Sequence, residues 1–214
     1  MPNTYSLTVV NQSEMPTPKI AVFADLPSTS SYETLNLAWL TRQIDATNRY
    51  TFTWEVTWGF AWSAQGAGSG YTWSGSGSLP ADPTSPSGCA VTFTNDGDFR
   101  LVPTSGVPDG ETLSIYNSTT LPREGDQAST VSVTLGGNAV SATQAGPNLV
   151  QTYTLHPTYY IDAGTYQHGQ MVDVASVTQF QELAYTDGNT ALTATLGPQN
   201  TWTVQPTAQV LANA

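Results

Sequence analysis

Positive charge is the scarcest feature of this 214-residue sequence. Sixteen acidic residues face only five basic ones, and the formal net charge is −11. The basic residues are scattered along the chain: Lys19, Arg42, Arg49, Arg100 and Arg123. A surface this negative repels phosphate backbones and anionic lipid headgroups. We therefore expect no nucleic-acid partner and no binding to an anionic membrane.

Cysteine and long apolar runs are also lacking. Cys89 is the single cysteine, so no intramolecular disulfide can form. No apolar stretch approaches the roughly 18 residues of a membrane-spanning helix, and residues 1–5 do not resemble the start of a secretory signal. We expect no membrane span. We also expect a protein that is cytoplasmic or is exported without a classical signal peptide, unless a signal has been removed.

Motifs of the common catalytic types are absent from the sequence. It contains no Gly-x-Ser-x-Gly elbow, no Walker-type phosphate loop and no dinucleotide fingerprint. His156 and His168 are the only histidines, and no Asp or Glu lies at a recognised zinc-ligand spacing from them. We predict a protein that is not an enzyme and that needs no cofactor.

The most informative segment that is present covers residues 50–62. Its even positions are occupied by Tyr, Phe, Trp, Val, Trp, Phe and Trp, whereas its odd positions hold Thr, Thr, Glu, Thr, Gly and Ala. A period of two sustained over thirteen residues predicts one long β-strand with its aromatic face buried. Gly59 lies within it and predicts a bulge or a bend.

Similar but shorter runs recur along the whole chain. About a dozen of them are separated by turn signals such as Gly136-Gly137 at intervals of roughly 8–12 residues, which is typical of all-β sandwiches and barrels. We predict an all-β fold: a single antiparallel, jelly-roll-like β-sandwich domain over residues 1–214, with little helix.

The secondary structure of three further segments is predicted as follows. Residues 31–46 fit either a strand or a single helical turn. The strand predicted over residues 150–161 should bend at His156-Pro157, because proline cannot continue a strand ladder. A further strand is predicted over residues 171–177.

Two groups of residues are candidates for binding a ligand. Glu55 is the only acid in the aromatic strand and is either a solvent-facing strand residue or one of the paired carboxylates of a glycoside hydrolase, with Glu111 or Glu182 as the second. Tyr71 and Trp73 interrupt a loop rich in Gly, Ser and Pro. They either stack on a sugar ring or pack over a sheet as a plug.

One short segment is a candidate metal site. Asn95, Asp96 and Asp98 place oxygen ligands in part of the pattern of a calcium loop. The remaining ligands are missing, and Asp96-Gly97 is also the expected turn of a β-hairpin. The hairpin is the simpler interpretation, and calcium is the alternative.

Several strand segments together resemble a known family. They are residues 4–13, Ile20-Ala21-Val22-Phe23, Leu37-Ala38-Trp39-Leu40, Phe52-Thr53-Trp54 and Phe60-Ala61-Trp62-Ser63. This pattern is similar to the RhiA-like (rhizosphere-induced protein) family of bacteria. The resemblance implies a small bacterial protein linked to community or host-associated life. It implies no enzymatic activity and supplies no catalytic residues.

These observations favour a non-enzymatic structural protein that associates with itself. Only 10% of residues are charged, against roughly 25% in ordinary soluble domains, and lysine, a common blocker of sheet edges, occurs once. A carbohydrate-binding module that uses Tyr71 and Trp73 is the alternative, and a glycoside hydrolase that uses Glu55 is a third hypothesis.

Overall fold

The computed structural model describes residues 3–15, 17–123, 128–173 and 180–212. This part of the chain is almost entirely β-structure, which confirms the predicted all-β class with little helix. The elements are β1 (Thr4–Asn11), β2 (Lys19–Asp25), β3 (Ser28–Thr29), β4 (Thr34–Leu37), β5 (Leu40–Gln43), β6 (Arg49–Glu55), β7 (Trp58–Ser63), β8 (Gly77–Pro80), β9 (Ala90–Asn95), β10 (Phe99–Thr104), β11 (Thr112–Asn117), β12 (Thr130–Leu135), β13 (Asn138–Ala139), β14 (Ser141–Gln144), β15 (Val150–Thr154), β16 (Thr158–Gly164), β17 (Met171–Val172), β18 (Gln181–Leu183), β19 (Ala191–Leu196), β20 (Trp202–Pro206) and α1 (Thr207–Ala212). The predicted dozen matches the number of strands with five residues or more.

The strands form four sheets. In the order in which neighbours pair, they are sheet I (β20-β19-β1-β6), sheet II (β10-β9-β11-β15-β3), sheet III (β17-β4-β14-β12-β7-β8, with β13 also paired to β12) and sheet IV (β18-β16-β2-β5). Most neighbours are antiparallel, but β1 runs parallel to β19 and β9 runs parallel to β11. The finer jelly-roll assignment stays a prediction.

All four sheets face one hydrophobic core. Leu7 from sheet I, Phe93 from sheet II, Phe60 from sheet III and Ile161 from sheet IV are all buried there. Trp39 lies between β4 and β5 and is also fully buried. The core therefore draws on residues from both halves of the sequence.

The aromatic segment is divided between two sheets, which differs from the predicted single strand. It forms β6 in sheet I and β7 in sheet III, and the chain turns at Val56, where the Thr57 amide donates to the Glu55 carbonyl at 2.9 Å. The predicted parity is retained, because Phe52 and Trp54 are buried before the turn and Phe60 after it.

Gly59 lies inside β7 and not at the turn. A Cβ atom at this position would lie 2.5 Å from Thr134 Oγ1 and 2.9 Å from the Leu79 carbonyl oxygen. The residue is therefore glycine because neighbouring strands approach it closely, and the bend predicted there occurs at Val56.

The structure of the three remaining segments can be compared with the predictions made from the sequence. Residues 31–46 form two strands, β4 and β5, and not a helical turn. The chain bends between β15 and β16 as expected at His156-Pro157. Of the strand predicted over residues 171–177, the structure shows β17, which ends at Val172, and residues 174–179 lie outside the described part.

The outer faces of the sheets differ in how they are covered. The outer face of sheet IV packs through Phe23 against Tyr166 and Phe180, and the outer face of sheet III packs against the segment that carries Trp73. The outer faces of sheets I and II carry more exposed side chains, such as Thr51 and Tyr116.

Candidate functional site

Strand β6 is one edge of sheet I and is unusually exposed. Within the described ranges it pairs only with β1. Its side chains alternate between the core and the solvent: Phe52 and Trp54 are buried, whereas Thr51, Thr53 and the two terminal residues of the strand are exposed. The sequence places β-branched and aromatic residues throughout this strand, which suits a pleated surface with one buried face.

The hydrogen-bonding direction of β6 follows from its pairing with β1. The Asn11 amide donates to the Asn48 carbonyl at 2.9 Å, and the Val56 amide donates to the Asn3 carbonyl at 3.0 Å. Bonded pairs recur at every second residue of an antiparallel ladder, so the even residues of β6 bond to β1. The amide and carbonyl groups of Thr51 and Thr53 therefore point away from the sheet, toward its open edge.

Hydroxyl side chains dominate the outer face of sheet I. Thr51, Thr8 and Thr193 lie in one row across β6, β1 and β19, and Thr51 Oγ1 lies 2.9 Å from Thr8 Oγ1. At the far end of this row, Thr193 hydrogen-bonds to Thr207 of α1 at 3.1 Å. We call this surface the threonine face; it comprises Thr4, Ser6, Thr8, Thr51, Thr53, Thr193 and Thr195.

The other edge strands of the described part are shorter or carry proline. Sheets I to IV end on eight edge strands, of which β6 is the longest, with seven residues. Apart from β6, only two edge strands of the described ranges have five residues or more, namely β10 and β20. Each of them contains a proline: Pro103 lies in β10 and Pro206 is the last residue of β20. Proline lacks the amide that a further strand would need. Strand β6 has no proline and no glycine.

The two ends of β6 carry opposite charges. Arg49 begins the strand and Glu55 ends it, and both belong to the outer face. In the described part of the chain, the one ion pair joins Arg100 to Asp96, so neither Arg49 nor Glu55 has an ionic partner there. The edge thus presents a positive end, a neutral threonine centre and a negative end.

Glu55, a predicted ligand-binding residue, lies beside a shallow depression of about 400 Å³ at this edge. Trp39, Leu40, Gly136 and Asn138 form its other wall. Among the described residues that line it, Glu55 is the only acid. Glu111 precedes β11 and Glu182 lies in a different groove, so neither is placed as the second carboxylate of a hydrolase.

Tyr71 and Trp73 are held in a segment that pairs with the chain around Met171. The Met171 amide donates to the Tyr71 carbonyl at 2.7 Å, and the Trp73 amide donates to the Gly169 carbonyl at 2.7 Å. Trp73 packs against a cluster that contains Leu35 and Met171, whereas Tyr71 is 58% exposed. The choice between packing and sugar binding stays a prediction. The depression beside Glu55 contains neither aromatic residue.

Asn95 is the last residue of β9, and Asp96 and Asp98 belong to the turn between β9 and β10. Gly97 has a φ of 103°, as the predicted Asp-Gly hairpin requires. Asp96 accepts hydrogen bonds from Arg100 at 3.0 Å and from Thr94 at 3.2 Å. Its carboxylate is thus engaged by protein groups, and calcium binding stays a prediction.

A groove that sequence reasoning did not find lies where the chain bends between sheets. Its volume is about 410 Å³, and Tyr5, Trp58, Tyr159 and Tyr185 form its aromatic part. Burial raises the pKa of Tyr159 to about 12, and it raises that of Tyr185 as well. Polar groups also line the groove: Asn3, His156, Thr158, Glu182 and Thr186. The only feature of the sequence that pointed to this groove was the bend predicted at His156-Pro157, since both residues line it.

Two further classes of site were sought in the described ranges. No group of three or more His, Cys, Asp or Glu side chains is arranged to hold a metal ion within residues 3–15, 17–123, 128–173 and 180–212. In the same ranges the only helix is the six-residue α1, which is too short to cross a bilayer.

Comparison with known proteins gives one consistent result. The RhiA family profile matches residues 2–207. The chain is also 32% identical over 210 residues to Protein RhiA of Rhizobium leguminosarum bv. viciae, an alignment that covers 94% of this chain and 86% of that protein. No solved structure matches the chain.

Proposed function

This chain belongs to the RhiA family, and from that premise we propose that it is a non-enzymatic structural protein that acts by associating with other copies of itself. The observation that carries the proposal is the open edge of β6. Its outward-pointing amide and carbonyl groups at Thr51 and Thr53 are a template for one more strand.

The surface beside this edge favours association over solvation. Threonine is β-branched and has few rotamers, so a threonine face loses little conformational entropy when it packs against another surface. Outside the two ends of β6, the residues of this face are uncharged, so no like charges meet within it when two copies pack together.

Light scattering across protein concentration tests the proposal. We expect an average mass that rises above the 22.7 kDa of one chain as concentration increases. Replacing Thr51 with proline should lower this mass toward the monomer, because proline removes an outward-pointing amide while the ladder to β1 uses the even residues. Thr51→Val keeps the amide and is the matched control. A wild-type protein that stays monomeric at every concentration would exclude self-association.

A second candidate function is carbohydrate binding in the aromatic groove. The observation that favours it is the combination of Tyr5 and Trp58 with the carboxylate of Glu182, since sugars bind through stacking on rings and hydrogen bonds to polar groups. A glycan array, read with and without calcium, tests it. We expect Trp58→Ala to abolish any signal and Trp73→Ala to leave it unchanged. The absence of any bound glycan would remove this candidate.

A further inference from the structure

We propose that β6 pairs antiparallel with β6 of a second copy of this chain, across a two-fold axis at Phe52, so that Arg49 lies opposite Glu55 of the partner subunit. The proposal rests on the self-association proposed above and specifies its geometry. Sheet I would then continue from one protomer into the other.

The register follows from the length and the parity of the strand. In an isologous antiparallel pair the same strand meets itself, so residues equidistant from the axis lie opposite each other. With the axis at Phe52, all seven residues of β6 are paired. Thr51 then lies opposite Thr53 of the partner subunit, and the groups that point outward from both copies can exchange hydrogen bonds.

Charge complementarity selects this register among the neighbouring ones. Arg49 and Glu55 are equally distant from Phe52, so the two-fold axis brings Arg49 to the partner's Glu55 at both ends of the strand pair. Both side chains are on the outer face, as opposite residues in a sheet must be. A shift of the axis by one residue along the strand would leave both charges without an opposite partner.

The core-facing side chains of the two β6 strands also complement each other in this register. Tyr50 is 38% exposed and stands edge-on to Phe52, with a distance of 4.9 Å between ring centroids, and the Arg42 guanidinium lies over its ring at 4.8 Å from the centroid. In the proposed register Tyr50 lies opposite the partner's Trp54, and Phe52 lies opposite the partner's Phe52. Aromatic cross-strand pairs of this kind stabilise antiparallel sheets. The pairing would therefore cover a tyrosine that is partly exposed in the single chain.

The edge also has open space beside it. The depression of about 400 Å³ runs along Thr53 and Glu55 and is walled on its far side by Leu40 and Asn138. A second strand approaching β6 meets this open region first. Because one strand pair buries little surface compared with stable dimers, we expect weak association that responds to concentration and to salt.

A charge-reversal cycle tests the register. Sedimentation equilibrium at low ionic strength should give a Kd that is weakened about tenfold by R49E, and by a similar factor by E55R, because each places like charges opposite each other at both ends of the pair. The double variant R49E/E55R restores the opposite charges and should recover most of the wild-type affinity. Circular dichroism checks that each variant is folded.

The matched control is R100E. It makes the same change in net charge as R49E, at an exposed residue of β10 in sheet II, and should leave the Kd unchanged. If the wild-type chain associates but the double variant is as weak as the single variants, the register is wrong and self-association stands. If the wild-type chain is monomeric at all concentrations, the register and the proposed function fail together.

Discussion

Replacing Trp39 with alanine is expected to lower the free energy of unfolding by about 3–5 kcal/mol. Trp39 is completely buried, and its indole N–H donates to the Leu135 carbonyl at 3.1 Å. Its ring also contacts Trp54 and Tyr159, with centroid distances of 5.3 and 6.2 Å. The truncation removes the ring contacts and one hydrogen bond to the Leu135 carbonyl, so it combines two destabilising effects.

Urea unfolding followed by far-UV circular dichroism measures this loss. Trp202→Ala is the matched control, because Trp202 is only partly buried at the edge strand β20. We expect its effect to be clearly smaller than that of Trp39→Ala. Equal losses for the two variants would contradict the assignment of Trp39 to the centre of the core.

A second large effect is expected at high pH. Burial raises the pKa of Tyr153 to about 12, despite the hydrogen bond of 2.9 Å between its hydroxyl and Thr143 Oγ1. In the unfolded chain this tyrosine ionises near its ordinary pKa of about 10. The folded state therefore holds the proton more tightly, and its stabilising contribution is complete below pH 10 and is lost as the pH rises toward 12.

The size of this effect follows from the shift of the pKa. A difference of about two pH units corresponds to roughly 3 kcal/mol of stability lost from Tyr153 by pH 12. Urea unfolding at a series of pH values from 9 to about 12 measures the slope. Tyr153→Phe removes one ionisable group and should make the slope shallower, while Tyr159 and Tyr185, whose pKa burial also raises, maintain the rest of it. Identical slopes for the two proteins would contradict the link between this residue and alkaline unfolding.

Local patterns in the sequence were sufficient to predict most of the strands and their turns. Period-two alternation is clear in β1, where Leu7 and Val9 are buried and Thr8 is not, because one buried face imposes that period on a strand. The residues of β12 are buried on both faces, so its strand-forming composition and the glycine turn after it were the signals there. Gly136 and Gly137 have φ values of 58° and 82°, which few other residues adopt, so the hairpin between β12 and β13 was readable as well.

The division of the aromatic segment was not predictable in the same way. The turn at Val56 shifts the chain into another sheet but keeps the even side chains facing the core, so the alternation continues without a break. Gly59 was the one residue of the segment that suggested a bend. It is glycine because Thr134 and Leu79 approach it closely, and the chain does not bend there.

The candidate interface depends on strand order, which short-range patterns do not contain. Glu55 and the threonine positions of β6 were identified from the sequence as a polar face, but their place at an open edge follows from which strands pair with β1. Similarly, Trp73 was recognised as an aromatic loop residue, but its packing against the cluster that contains Leu35 and Met171 depends on which strands meet there.

Hydrogen exchange of the backbone amides of β6 tests the central claim most directly. The amides of Thr51 and Thr53 point to the open edge, so in dilute solution they should exchange rapidly, whereas those of Phe52 and Trp54 are protected by β1. Raising the protein concentration should slow exchange at Thr51 and Thr53 while Phe52 and Trp54 change little. Exchange at Thr51 and Thr53 that is independent of concentration would contradict association through this edge.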